Sequence, residues 1–233
     1  MILALALVLA TGLDDPFAPM EIAKLPSKPL DREVEPPALK RWVAQINVRM
    51  VGRNVGDAII TERWAEIGQV ISQNPVRVRI TRTLEASTID GQTIPPPGGD
   101  PLVWEEQPGM GKFRDPMPED PVEYRTGRLT AMFFPGTGSP VRWPLPDEIR
   151  VPTAIATSTL DQRRAFELDG LWGRRMSWRF EEQPGFTGTG EALFDTESGL
   201  MMYGRIQAHG VPLPGGDGTL YQLTWVRRLT KVQ

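Results

Sequence analysis

Residues 171–229 constrain the fold of this chain more than any other stretch. Apolar and polar residues alternate along 172–181, 191–209 and 219–229, and this alternation is typical of a strand with one side on a core. The middle segment is interrupted at 195–199, where Asp195, Ser198 and Gly199 suit a tight turn. The pattern predicts successive antiparallel strands with a long hairpin in the middle.

Further strands are predicted upstream. Residues 41–50 and 76–84 alternate cleanly, 59–71 alternate less regularly, and 128–134 read as another strand. The best helical segment is 158–166, which begins with a capping Ser158 but gives barely two turns. We therefore expect a mainly β protein: a curved antiparallel sheet or incomplete barrel with few short helices and a long loop rich in Pro and Gly.

That loop is predicted at residues 90–127, where proline and glycine recur too often for a regular element to continue. Unstructured loops of this length are uncommon in compact domains and are often functional. Trp104 and Phe113 are among its large apolar residues, which fits a loop that packs over something. The simpler interpretation is a surface loop held down by its own aromatic residues, and the alternative is a ligand cover, for which this loop is the best candidate in the chain.

The N-terminus predicts export. Residues 2–10 are an uninterrupted apolar run, which has the length of a signal-peptide core and is too short to span a membrane as a helix. No Lys or Arg precedes the run, and a buried N-terminal strand or helix is the alternative. The predicted organisation is a signal-like segment at 1–12, a proline-rich lead segment at 13–37, and one β-rich domain at 38–233 in the periplasm or outside the cell.

Composition limits the chemistry. With 26 Lys and Arg against 29 Asp and Glu, spread along the chain, there is no basic stripe for nucleic acid. The chain has no cysteine and a single histidine, His209, so we expect no metal site and no cofactor. A hydrolase site would have to use His209. Arg77 and Arg79, on the polar side of the predicted strand at 76–84, are interpreted as a solvated outer face.

Tryptophans are the candidate ligand-binding residues. Most of the candidates lie in predicted strands, and one lies in the loop at 90–127: Trp42, Trp64, Trp104, Trp172, Trp178 and Trp225. Side chains of this size bury a large apolar area, so the simplest interpretation is that they pack in the hydrophobic core. The more specific alternative is that they line a ligand-binding pocket.

Residues 192–202 carry a resemblance. A strand, a turn of the form Asp-x-x-Ser/Thr-Gly made by Asp195, Ser198 and Gly199, and a second strand resemble the hairpins of the periplasmic lipoprotein-carrier family of bacterial envelope proteins. The resemblance covers the last quarter to third of the chain. It implies an incomplete barrel that wraps around helices and binds an apolar ligand in its concave face. No binding residue of that family is carried over.

These observations predict an exported, non-enzymatic envelope protein that binds an apolar or lipid-like ligand in a concave sheet. One alternative is a structural or interaction module whose sheet edge or arginine face meets an envelope protein partner. The other is a hydrolase with its site near His209. Ligand identity and oligomeric state are outside what the sequence determines.

Overall fold

The computed structural model describes residues 15–29, 41–54, 56–73, 76–95, 101–106, 148–151, 154–160, 164–182, 186–196, 200–212 and 219–232. Within these ranges the chain forms thirteen strands and one short 3-10 helix, Ile22–Lys24. The strands are β1 Ser27–Pro29, β2 Arg41–Gly52, β3 Ile59–Gln73, β4 Val76–Ile89, β5 Gln92–Ile94, β6 Leu102–Glu106, β7 Glu148–Val151, β8 Ala154–Leu160, β9 Arg164–Leu168, β10 Leu171–Glu182, β11 Phe186–Asp195, β12 Met201–Pro212 and β13 Leu220–Val232. No helix among the described residues is long and apolar enough to cross a membrane.

All strands belong to one antiparallel sheet. Its order is β1-β9-β10-β11-β12-β13-β2-β3-β4-β5, with β6 paired to β4, β8 paired to β10, and β7 paired to β8. The described strands form an open, curved sheet that does not close into a barrel. The predicted fold class is therefore confirmed. The pairing of β13 with β2 joins the two ends of the chain at the middle of the sheet.

The strands predicted from alternation are present. The segments at 41–50, 59–71 and 76–84 lie in β2, β3 and β4. The strands predicted between residues 171 and 229, which we call the C-terminal meander, form β10 to β13. The turn predicted at 195–199 is closed by the Asp195 amide, which donates to the Leu200 carbonyl at 2.8 Å. The strand predicted at 128–134 lies outside the described residues.

Two predictions need correction. The segment expected to be helical at 158–166 instead supplies the end of β8 and the start of β9, because the backbone of β10 offers hydrogen-bond partners to both strands. The loop expected at 90–127 contains β5 and β6, which both pair with β4. Asp90 and Gly91 turn the chain between β4 and β5 with φ of 52° and 78°, as a two-residue Asp-Gly hairpin requires. The rest of that loop lies outside the described residues.

The two sides of the sheet differ in character. Cross-strand partners share a side, and the partners Trp225, Val48 and Glu62 define the side that we call the tryptophan face. Trp64 and Trp225 belong to one buried core cluster on this face. Alternation places Asn47, Arg205 and Val226 on the opposite face, again as direct cross-strand partners.

Residues 15–29 pack against the sheet. Phe17 and Ile22 belong to a second core cluster, and Ile22 is only 1% exposed. The Met20 amide donates to Tyr203 Oη at 3.3 Å, and the Pro26 carbonyl accepts from the Glu167 amide at 2.9 Å. This part of the lead segment is therefore an integral element of the fold, which we call the N-terminal strap.

Candidate functional site: the tryptophan face and its buried ion cluster

Three of the proposed ligand-binding tryptophans lie on the tryptophan face by register. Trp64 and Trp225 share one core cluster, whereas Trp42 belongs to the second cluster with Phe17 and Ile22. Trp42, Trp64 and Trp225 come from β2, β3 and β13, which are adjacent in the sheet, and their exposed fractions are 0%, 2% and 0%. They are therefore core side chains as the structure stands. Burial of aromatic rings of this size is a major source of stability in a sheet.

The other three tryptophans lie elsewhere along the sheet. Trp172 on β10 is partly buried, and Lys28 Nζ lies 4.1 Å from the centroid of its ring, a cation–π contact with the N-terminal strap. Trp104 pairs with Ile80 across β6 and β4, and Trp178 pairs with Gly190 across β10 and β11. By its register Trp178 shares the row of Trp225, since Gly190 is the partner of Ile206 and Ile206 is the partner of Trp225.

A buried carboxylate organises the tryptophan face. Glu66 on β3 is 0% exposed and lies between Arg82 of β4 and Arg227 of β13, which are 3% and 0% exposed. Arg82 donates to Glu66 Oε2 from Nε at 2.9 Å and from Nη2 at 2.8 Å. Arg227 donates to Glu66 Oε1 from Nε at 3.2 Å and from Nη2 at 2.8 Å. Both guanidinium groups therefore bind one carboxylate in a two-bond geometry.

Two further contacts complete this cluster. Trp42 Nε1 donates to Glu66 Oε1 at 3.3 Å, and Arg227 Nη1 donates to the Met201 carbonyl. Close by, Glu62 is 7% exposed and accepts from Trp64 Nε1 at 3.0 Å. Two of the buried indole N–H groups thus have carboxylate acceptors, which removes the cost of burying them unpaired.

The charge state of Glu66 follows from its neighbours. Burial by itself raises the pKa of this carboxyl group, but the charges of Arg227 and Arg82, with the hydrogen bonds that they donate, outweigh burial and lower the pKa from 4.5 to about 2. Glu66 is therefore ionised at neutral pH. Because both its oxygens already accept strong hydrogen bonds, it acts as a structural anchor and not as a general base.

Beside the tryptophans lies a floor of small residues on β11 and β12. Ala192, Gly204 and Ala208 are buried and Gly190 is partly buried, and their register places them on the tryptophan face. In the sheet, Trp225 is in the next strand on one side and Met176 is in the next strand on the other. Ile206, which is 2% exposed and is the direct partner of Gly190, interrupts these small residues between Gly204 and Ala208.

Polar chemistry is sparse in the described part of the chain. No group of three or more His, Cys, Asp or Glu side chains there is arranged to hold a metal ion. His209 is exposed on β12 and pairs with Thr187 of β11. The hydrolase hypothesis therefore stays a prediction.

Sequence reasoning missed the ion cluster. Glu66, Arg82 and Arg227 each occupy a position where the alternation of their own strand calls for an apolar residue, two places from Trp64, Ile80 or Trp225. A charged residue in an apolar register is a signal for a buried ion pair, but the sequence does not show which opposite charge it meets.

Comparison with known proteins adds little to this description. No protein-family model matches the chain, and no curated protein matches it. Among solved structures, the chain is similar to the crystal structure of LolA superfamily protein NE2245 from Nitrosomonas europaea, with 10% identity, coverage of 86% of this chain and 88% of that chain, and a TM-score of 0.30. This is a weak resemblance in fold only.

Proposed function

We propose that this protein is an exported, non-enzymatic envelope protein that binds an apolar or amphipathic ligand against the tryptophan face of its curved sheet. The observation that carries the proposal is the floor of glycine and alanine on β11 and β12, interrupted by Ile206 and flanked by large apolar side chains of β10 and β13. An acyl chain lying over glycine and alanine would contact Trp225 and Met176 on either side.

The chemistry of the face favours an apolar ligand over a polar one. Residues of its core cluster are apolar throughout, and they include Ile206, Phe194 and Met201. Glu66, its buried carboxylate, is already bound to two guanidinium groups. An apolar chain leaves that ion cluster undisturbed, whereas a charged group placed beside it would have to be desolvated. Ligand-binding sites in proteins are commonly lined in this way, with few polar groups.

Trp42, Trp64 and Trp225 remain the proposed ligand-binding tryptophans, joined by Trp178, which shares the row of Trp225. Since the first three are buried, a ligand would reach them by inserting among the side chains of this face. Trp104 and Trp172 are proposed as contacts at its margins.

The test variant adds a side chain to the floor, and the control variant changes a residue on the opposite face of the same strand. Gly190→Leu places a side chain over the floor, while Thr189→Val changes the adjacent, exposed residue on the opposite face. Binding of a fluorescent single-chain fatty acid is measured by titration, and far-UV circular dichroism checks folding. We expect Gly190→Leu to weaken binding at least about tenfold and Thr189→Val to leave it unchanged.

Two results would contradict the proposal. The first is a wild-type protein that binds no fatty-acid probe and carries no lipid-like mass in native mass spectrometry. The second is equal loss of binding in the Gly190→Leu and Thr189→Val variants. For export, the mature mass is measured after expression in an export-competent host, and loss of residues 1–12 is the expected result.

A further inference from the structure

A polar cluster lies on the face opposite the tryptophan face, where the N-terminal strap meets β12. Glu191 of β11 is the direct cross-strand partner of Arg205 of β12, and Arg175 Nη2 of β10 donates to Glu191 Oε2 at 3.2 Å. Tyr203 is on the same face, two residues before Arg205, and is only 3% exposed. We call these four residues the Glu191 cluster: Arg175, Glu191, Tyr203 and Arg205.

The Glu191 cluster has more hydrogen-bond donors than acceptors. Within the described ranges, the Nε atoms of Arg175 and Arg205 are buried and have no hydrogen-bond partner. Tyr203 Oη accepts from the Met20 amide at 3.3 Å, and no contact between described residues accepts the proton of its hydroxyl group. Burial raises the pKa of Tyr203, so this hydroxyl stays protonated at neutral pH and can donate. Buried N–H and O–H groups are nearly always paired, so the cluster needs a further acceptor, either water or an ion.

The charges of the cluster favour an anion over water as that acceptor. Arg175 and Arg205 carry two positive charges against the single negative charge of Glu191. The charge of Arg228 also acts on the phenol of the cluster, but Arg228 Nη2 donates to both carboxylate oxygens of Asp169. The cluster itself therefore carries one net positive charge, and hydrogen bonds from guanidinium groups to an anion are stronger than those to a neutral acceptor.

The burial of the donors limits the size of the acceptor. A lipid head group or a macromolecule cannot reach Nε atoms that are closed off from solvent, whereas a single-atom ion needs only the space of about one water molecule. Both guanidinium groups flank Glu191, so their donors belong to one small region of the sheet.

We infer that the Glu191 cluster binds a halide ion, with chloride as the physiological case, through Nε–H of Arg175, Nε–H of Arg205 and the hydroxyl group of Tyr203. The site lies on the face opposite the tryptophan face. It is therefore independent of the ligand proposed for the tryptophan face.

A bound halide would also strengthen the attachment of the N-terminal strap. A hydroxyl group that donates a hydrogen bond becomes a better acceptor, because hydrogen bonds in a chain polarise one another. Donation from Tyr203 to the halide should thus strengthen the bond that its oxygen accepts from the Met20 amide. The presence of chloride should slow hydrogen exchange at that amide.

Chloride binding to the full chain is measured by broadening of the chloride NMR line, with bromide and sulfate as competitors. Arg205→Gln removes one donor and one charge and should weaken chloride binding about tenfold. Arg79→Gln is the matched control, since Arg79 is on the same side of the sheet but on β4, is 49% exposed and pairs with Glu105. We expect unchanged binding in the control, displacement of chloride by bromide, and no displacement by sulfate.

Two further measurements keep the test independent of a single variant. Tyr203→Phe removes only an oxygen atom and should also weaken chloride binding, and far-UV circular dichroism checks the folding of each variant. In the wild type, hydrogen exchange at the Met20 amide should be slower in sodium chloride than in sodium sulfate of equal ionic strength. Arg205→Gln should abolish that difference.

Three outcomes would overturn the inference. Absence of chloride broadening in the wild type would mean that water is the acceptor for these donors. Equal weakening by Arg205→Gln and Arg79→Gln would indicate a general effect of surface charge. Displacement of chloride by sulfate would indicate an open site for oxyanions, which contradicts a buried site for a single-atom ion.

Discussion

Glu66 joins side chains from three strands, because Arg82 comes from β4 and Arg227 from β13. We expect Glu66→Gln to lower the free energy of unfolding by about 3–5 kcal/mol, since it leaves two buried guanidinium groups without their counter-charge. Glu85→Gln is the control, because Glu85 is 39% exposed in its pair with Arg63 and such pairs contribute about 0–1 kcal/mol. Urea unfolding measures both, and equal losses would contradict a special role for Glu66.

Lowering the pH should destabilise the folded protein through protonation of the Glu66 carboxylate. The pKa of Glu66 is about 2 in the folded protein against an ordinary value of 4.5, so its contribution to stability is present above pH 4.5 and is lost as pH falls towards 2. The contribution is on the order of 3 kcal/mol. Other carboxylates also titrate in this window, so the measurement is the difference between wild type and Glu66→Gln. That difference should shrink from pH 5 to pH 2, and a constant difference would refute the assignment.

Gly68 is a residue whose missing side chain makes room for an aromatic ring. A Cβ atom there would lie 1.9 Å from Cε2 of the Trp42 indole, so Gly68→Ala should cost about 1–3 kcal/mol by overpacking. Trp42→Leu removes the ring and should cost several kcal/mol by itself. In the double variant the cost of Gly68→Ala should largely disappear. A double-mutant cycle by urea unfolding checks this, and additive costs would show that the ring is not the obstacle.

At the scale of elements, the N-terminal strap depends on a few buried side chains. Ile22 is 1% exposed within the second core cluster, so Ile22→Ala should lower the free energy of unfolding by about 2–4 kcal/mol. Ile59→Ala removes the same atoms from a residue that is 42% exposed and should cost under about 1 kcal/mol. Hydrogen exchange should show faster exchange at Leu25 and Glu167 in the Ile22 variant. Unchanged exchange there would mean that the strap is held mainly by β1.

At the scale of the whole molecule, we expect β13 to contribute more than an edge strand to the cooperative stability of the sheet. β13 lies between β12 and β2, and its deletion at residues 219–233 would expose both neighbours. β1 is an edge strand, so deletion of residues 1–30 removes one edge strand together with the core side chains of the N-terminal strap, but leaves β2 to β13 paired. We expect the first truncation to lose its cooperative thermal transition and the second to keep it at a lower midpoint, as scanning calorimetry would show. A cooperative transition without β13 would contradict this.

Pairing between the ends of the chain also predicts slow folding. Trp225 pairs with Val48 and Arg227 pairs with Ile46, so the middle of the sheet forms only after a loop of most of the chain has closed. Stopped-flow fluorescence of the buried tryptophans should therefore report refolding in milliseconds to seconds or slower. Refolding within microseconds would show that these contacts form locally first.

Many strand positions can be predicted from the sequence, because apolar and polar residues alternate along a strand that has one side on a core. Alternation alone located β2, β4 and the meander from β10 to β13. The prediction at 158–166 was wrong because a capping Ser158 and short periodicity describe only local preference, while β10 supplied partners for strands on that side. Asp90 and Gly91 did carry a hairpin signal within the segment interpreted as loop.

The sequence by itself determined the mainly β class, most strand positions and the concentration of tryptophan in strands. Only the tertiary structure decided which strands are neighbours, because register between β13 and β2 depends on residues far apart in the chain. It also joined Glu66 to Arg82 and Arg227. A bulge between Leu193 and Phe194 places Met201 in the core cluster of Ile206, although strict alternation along β12 would put it on the side of Tyr203. The alternation of side chains along one strand is a local property of the sequence. Strand pairing, bulges and buried charge pairs instead depend on contacts between segments that are far apart in the chain.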